Sequence, residues 1–111
     1  MIKCSTQGAV QVFAIEGPLL TETAERLLSA VEECPRVGRP QWVVDLAEVP
    51  LIDSTGCEAL LDTRDAATKV GGAVHLAGLN PLCNDILSAT GVGRYFPKFE
   101  AVKQAVGHFS R

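Results

Sequence analysis

The sequence predicts an α/β domain built on one mixed β-sheet with about four helices packed against it. Three observations lead there. Short β-rich runs alternate with segments of helical period from Val10 onward, which implies parallel strands joined by right-handed crossovers. The first two runs are separated by only a Gln7-Gly8 turn, so they pair as an antiparallel hairpin. The chain has 111 residues, and a domain takes roughly 100–200, so residues 1–111 form one domain.

The hairpin comprises Ile2 to Thr6 and Val10-Gln11-Val12-Phe13-Ala14-Ile15, the second apolar on both faces. Gly17-Pro18 breaks it. Thr21 is placed to cap a helix running to about Glu33. In it Ala24, Leu27, Leu28 and Val31 recur at helical spacing, and Glu22, Glu25, Arg26, Ser29, Glu32 and Glu33 fill the other side. Pro35 to Pro40 reads as a loop whose Arg36 and Arg39 are solvated. Trp42-Val43-Val44-Asp45-Leu46 reads as a strand buried on both faces.

Val49-Pro50-Leu51-Ile52 leads into Asp53-Ser54-Thr55-Gly56 and a helix to about Val70, which Gly71-Gly72 ends. Val74 to Ala77 is a short strand, with His75 facing solvent or a helix. Asn80-Pro81 supplies an N-cap and a proline at the first helical position, where a missing N–H costs nothing. Leu82, Cys83, Ile86 and Leu87 form the inner side of that helix, and Gly91 its C-cap. Pro97 confines a strand at Phe96 to Phe99 to a sheet edge. A final helix, Ala101 to Phe109, turns Val102, Ala105, Val106 and Phe109 inward and leaves His108 at its end.

Composition narrows the function classes. Hydrophobic residues are 47% and charged residues 21%, so the chain can build a core and is not disordered. Folding a chain of this size buries roughly 65% of its unfolded surface. A net charge of −3 lacks the basic balance that nucleic-acid binding needs. No apolar run approaches the roughly 18 residues that span a bilayer. Met1 to Thr6 has no signal-peptide core, so a cytoplasmic protein is expected. Cys4, Cys34, Cys57 and Cys83 are scattered without metal-ligand spacing and read as reduced thiols, and no metal or cofactor is expected. Cys57, near a helix start where thiol pKa values fall, is the one position with a redox-sensor reading beside its packing role.

The informative constellation is Asp53-Ser54-Thr55-Gly56. Any of its first three residues can cap the following helix, and Thr55 with Glu58 fits a capping box. If Thr55 caps, Ser54 lies one residue outside the helix, exposed. Glu58, Asp62, Asp65 and Lys69 then follow at intervals of four, three and four, one stripe that begins at Ser54, with an Asp65–Lys69 pair at its end. On its own this stripe reads equally as a solvated face. A serine hydrolase is the remote reading. G-x-S-x-G is absent, and neither His75 nor His108 is placed to act as base, so no catalytic residue is assigned.

The run Val43-Val44-Asp45-Leu46, Val49 to Ile52, Asp53-Ser54-Thr55-Gly56 and Ala59-Leu60-Leu61 resembles the STAS domain of bacterial anti-sigma-factor antagonists. Gly17-Pro18-Leu19 is similar to that family's G-x-L, and Thr90-Gly91 to Phe96 to its T-G…F segment. The likeness covers roughly Val10 to Val106. It implies a partner-switching protein rather than an enzyme. In that family the serine after the aspartate, which the resemblance matches to Ser54, is phosphorylated by a partner that is both anti-sigma factor and serine kinase. A serine phosphatase resets it. Unphosphorylated protein binds the kinase and frees sigma factor, and phosphorylated protein lets go. The implied partner-binding residues are Asp53, Ser54, Thr55, Gly56, Glu58, Asp62 and Asp65. Weak homo-oligomerisation is carried as a further expectation.

Two positions depart from the family pattern. Leu20-Thr21 stands where many antagonists have an aspartate after G-x-L, and Cys57-Glu58 where many have leucine and a small residue. The family also contains scaffolds that are not phosphorylated and small subunits of lipid-transport ABC complexes, which form the alternative reading.

Overall fold

The computed structural model describes residues 1–36 and 38–110, so position 37 of the predicted 35–40 loop lies outside the described residues. The elements follow as β1 (Ile2–Gln7), β2 (Val10–Glu16), α1 (Thr21–Glu33), β3 (Gln41–Glu48), α2 (Ser54–Thr68), β4 (Ala73–Ala77), α3 (Pro81–Thr90), a 3-10 turn (Val92–Tyr95), β5 (Lys98–Phe99) and α4 (Val102–His108). The five strands lie in the order β1-β2-β3-β4-β5. β1 pairs antiparallel with β2, and every later pair is parallel. The predicted mixed sheet and four helices are therefore the observed architecture.

Sheet alternation sorts the side chains into two cores. Phe13, Ile15, Trp42, Val44, Leu46, Val74 and Leu76 face α1, α2 and α3, and pack with Leu27, Leu60 and Leu87 of those helices. Val12, Val43 and Ala77 face the other way and meet Ala105 of α4. Right-handed crossovers that all step in one direction along the sheet put their helices on one face, which leaves α4 alone on the other. His75 is buried beneath α4. Its ring stacks on Phe109 at 3.7 Å with 5° between planes, and its Nδ1 lies 3.0 Å from the Ala105 carbonyl.

Local chemistry sets several ends. Asn80 caps α3 by accepting from the Cys83 N–H at 2.7 Å, and Pro81 follows at the first helical position. Gly91 ends α3 with φ of 77°, a left-handed conformation that glycine adopts without penalty. At α1 the expectation fails. Leu20 is the capping position, no side chain caps it, and Thr21 is the first helical residue. α2 ends at Thr68 rather than Val70, because the chain tightens into the turn that carries Gly71. Arg36 is not simply solvated, since its guanidinium lies over the Trp42 ring at 5.8 Å.

Candidate functional site

The Asp53-Ser54-Thr55-Gly56 segment lies at the C-terminal end of the parallel strands, where β3 hands the chain to α2. Two loops meet there. Leu19 and Ile52 form a one-residue parallel bridge, the Leu19 N–H donates to the Leu51 carbonyl at 3.0 Å, and the Asp53 N–H donates to the Leu19 carbonyl at 3.3 Å. The loop between β2 and α1 therefore lies directly against the start of α2. Side chains meet as well: the Thr21 hydroxyl donates to Thr55 Oγ1 at 3.4 Å.

Asp53 caps α2. Its backbone is extended, and its Oδ1 accepts from the Gly56 N–H at 2.8 Å. This corrects the expectation that Thr55 caps with Glu58 in a capping box. Anchoring of Asp53 to the Leu19 carbonyl starts the helix two residues earlier than a Thr55 cap would, so Ser54 is its first residue rather than a loop residue outside it. Ser54 is nevertheless exposed. Gly56 is buried against Leu19, and a β-carbon there would collide with the Leu19 carbonyl oxygen and come 2.9 Å from Ile52 Cγ2. It shapes the site by close packing and offers no surface of its own.

The predicted stripe is present on α2. Glu58, Asp62 and Asp65 are exposed, as is Ser54, while Asp53 and Thr55 are half-buried. The expected Asp65–Lys69 pair does not form among the described residues; Asp65 instead lies 3.9 Å from the Arg64 guanidinium. Arg64 also donates to the Tyr95 carbonyl at 3.1 Å, which holds it on the side of α2 facing the 3-10 turn.

Cys57 lies inside the first turn of α2 but is buried, and its thiol pKa is raised. Desolvation is the main cause; a hydrogen bond with Thr90 opposes it and the Asp53 charge adds to it. A helix N-terminus lowers a thiol pKa only where solvation of the thiolate is retained, so the lowered pKa on which the redox-sensor reading of Cys57 rested is absent, and burial shuts the thiol off from solvent oxidants.

Sequence reasoning missed the apolar rim. Leu20 and Leu51, each 39% exposed, lie on the two hydrogen-bonded loops that meet at the start of α2. Leu82, expected on the inner side of α3, is instead 53% exposed in its first turn at the same end of the sheet, where the Asn80 amide donates to the Val49 and Pro50 carbonyls. Strand alternation gives no signal for Leu51, which is two residues from Val49 and one from Ile52, both buried. No helix among the described residues is long and apolar enough to cross a membrane.

The STAS domain family matches residues 1–105 of the chain. Among curated proteins the chain is 28% identical over 109 residues to the bicarbonate transporter BicA of Synechocystis sp., a match that takes in 89% of this chain and 18% of the transporter. The chain thus spans about a fifth of that relative's length. Among solved structures it is similar to a sulfate transporter family protein from Wolinella succinogenes, with a TM-score of 0.83, 21% identity, and 94% and 87% of the two chains covered. It is equally similar in fold to an anti-sigma-factor antagonist (STAS) domain protein from Planctomyces limnophilus. There the TM-score is 0.86 at 18% identity, with 99% and 98% covered.

Proposed function

Because this chain belongs to the STAS domain family, we propose that it is an anti-sigma-factor antagonist, a binding module rather than an enzyme, whose partner exchange is controlled by phosphorylation of Ser54. The observation that carries the reading is the exposed Ser54 hydroxyl on the first residue of α2, between two loops that are hydrogen-bonded to each other. In the cytoplasm the unmodified form binds an anti-sigma factor with serine kinase activity, and a serine phosphatase restores it after modification.

The physical logic is local. The first N–H groups of a helix have no intrahelical acceptor, so a phosphate at Ser54 is tolerated without unfolding the domain. It adds roughly −1.5 to −2 charges. Those charges stand beside Asp53 and one turn from Glu58. A partner seated over a neutral serine and the exposed Leu20 and Leu51 would instead bury an unpaired dianion. Uncompensated buried charge costs about 3–5 kcal/mol. That corresponds to about two to three and a half decades of affinity. The fold stays fixed while the interface is lost.

The test is incubation with the cognate kinase and ATP, followed by phosphopeptide mass spectrometry. Ser54 is expected to be modified and Thr55 spared, since Thr55 Oγ1 is half-buried against the Thr21 hydroxyl. Modification at Thr55, or none by a kinase that demonstrably binds, overturns the reading.

The likeness to a bicarbonate transporter and to a sulfate transporter family protein favours a second reading. In it the domain docks within a transport assembly, as a scaffold or small subunit such as that of a lipid-transport ABC complex, without phosphorylation. Capture from the native host separates the two. Loss of partners in Ser54→Asp supports the switch, and unchanged recovery of membrane-transport subunits by both wild type and Ser54→Asp supports the scaffold.

A further inference from the structure

The four cysteines, scattered in the sequence, are sorted by the fold into two in the core and two at the surface. Cys57 and Cys83 lie in the main core, 5% and 0% exposed, with the Cys83 thiol donating to the Val49 carbonyl at 3.4 Å. Cys4 and Cys34 lie at the surface, exposed and half-buried, and all four thiols are free. Cys4 stands opposite Phe13 in the β1–β2 register. Directly opposed residues point to the same face of a sheet, so Cys4 faces the α1 side with Phe13. Cys34 closes α1 and packs against the core on that side. Both thiols line one groove of about 700 Å³, floored by Ile2 and Phe13 and walled by Ser29 and Ala30 of α1.

We propose that Cys4 and Cys34 form a redox pair that closes to an intramolecular disulfide when the protein meets a peroxide. In the first step the Cys4 thiolate attacks one peroxide oxygen and the O–O bond breaks. Cys4 becomes a sulfenic acid, and the departing hydroxide takes up a proton as water. Then the Cys34 thiolate attacks the Cys4 sulfur, the S–S bond forms, and the sulfenic hydroxyl leaves as a second water. Two thiols lose two electrons and two protons in all, and the peroxide is reduced to water. Exposure selects Cys4 as the first to react.

Burial raises both thiol pKa values; Cys4 raises that of Cys34 further, while Arg36 and Trp42 oppose the rise. Glu33 raises Cys4 further. At neutral pH the pair is thus held as thiols, and closure accelerates with pH as thiolate appears. The closed bond would tie the edge strand β1 to the end of α1 across the groove and restrain the unfolded chain. Cys57 and Cys83 lie in the core without access to solvent oxidant, and serve as an internal control.

Peptide mapping tests this on the whole folded protein. Trypsin separates the two thiols onto peptides 4–26 and 27–36. After hydrogen peroxide and blocking of residual thiols, these peptides are expected as one disulfide-linked species, lighter by two hydrogens and separated again by dithiothreitol. Cys57 and Cys83 remain alkylatable once the protein is unfolded. Cys4→Ser and Cys34→Ser each lose the link, and the oxidised wild type melts higher than the reduced form. The proposal is overturned by a Cys4 that proceeds to sulfinic acid unlinked, by a bond between two chains, by linkage of Cys57 to Cys83 instead, or by no reaction.

Discussion

Asp53 Oδ1 accepts a hydrogen bond from the Gly56 N–H at 2.8 Å, and this contact fixes where α2 begins. It makes Ser54 the first helical residue, where it is exposed, while Gly56 is pressed against Leu19 below. The same four-residue segment therefore contains a cap, an exposed hydroxyl and a packing glycine, and the three are separable by mutation.

Removal of the cap is expected to be felt where removal of Thr55 is not. Asp53→Ala should destabilise by about 1 kcal/mol, the usual loss for an N-cap carboxylate. Thr55→Ala should cost less, because its side-chain partner among the described residues is the Thr21 hydroxyl at 3.4 Å. Denaturant midpoints at constant m-value check the order, and a reversed order would return the cap to Thr55.

Gly56→Ala is expected to cost about 1–3 kcal/mol through overpacking, since the added methyl meets backbone that cannot yield easily. By contrast Ser54→Ala and Ser54→Asp should each shift stability by less than about 1 kcal/mol, as exposed positions do. Thermal or chemical denaturation of the three variants side by side measures this. A large loss in either Ser54 variant would make Ser54 a structural residue.

Glu58, Asp62 and Asp65 share the exposed line that begins at Ser54, and a partner docking along it should be basic. Asp62→Lys is expected to slow association, with an effect that shrinks as salt rises, because rim charges act mainly on the encounter rate. Glu25→Lys, on the exposed side of α1, makes the same change in net charge and should do less. Surface plasmon resonance at two ionic strengths compares them, and indistinguishable variants would reduce the stripe to a solvated face.

The His75 environment gives a pH dependence. Burial lowers the His75 pKa below its usual 6.5; the hydrogen bond to Ala105 opposes the shift and neighbouring His108 adds to it. The unfolded chain therefore binds a proton more readily than the folded one as pH falls below about 6.5. The stability is present above that value and is lost as pH falls through the lowered folded pKa. Denaturation between neutral and mildly acidic pH should show the decline, and His75→Gln should flatten it. An unchanged slope in the variant would assign the decline to other groups.

Much of this molecule is written in local sequence pattern. Strand and helix order follow from the alternation of periods, because burial of one face imposes them on each segment separately. The Asn80-Pro81 start and the Gly91 stop of α3 are likewise legible, since a cap is chosen by residues within one turn. The position of Ser54 at a strand-to-helix junction and the stripe below it could be read in the same way.

What tertiary structure alone decided is everything that depends on segments distant in sequence. Asp, Ser and Thr are all competent caps, and the choice of Asp53 came from the Leu19 carbonyl that anchors its N–H and from the tight seat of Gly56 against Leu19. Burial of Cys57 reversed the pKa direction that its helix position suggested, because desolvation outweighs a helix terminus once water is excluded. The stacking of His75 under α4 and the placing of Cys4 and Cys34 on one groove have no local signature. The sequence by itself determined which elements form and in what order, since each is a balance struck over a few neighbouring residues. Only the packed sheet could decide which side chains meet, because crossovers and strand register bring together groups that no periodicity connects.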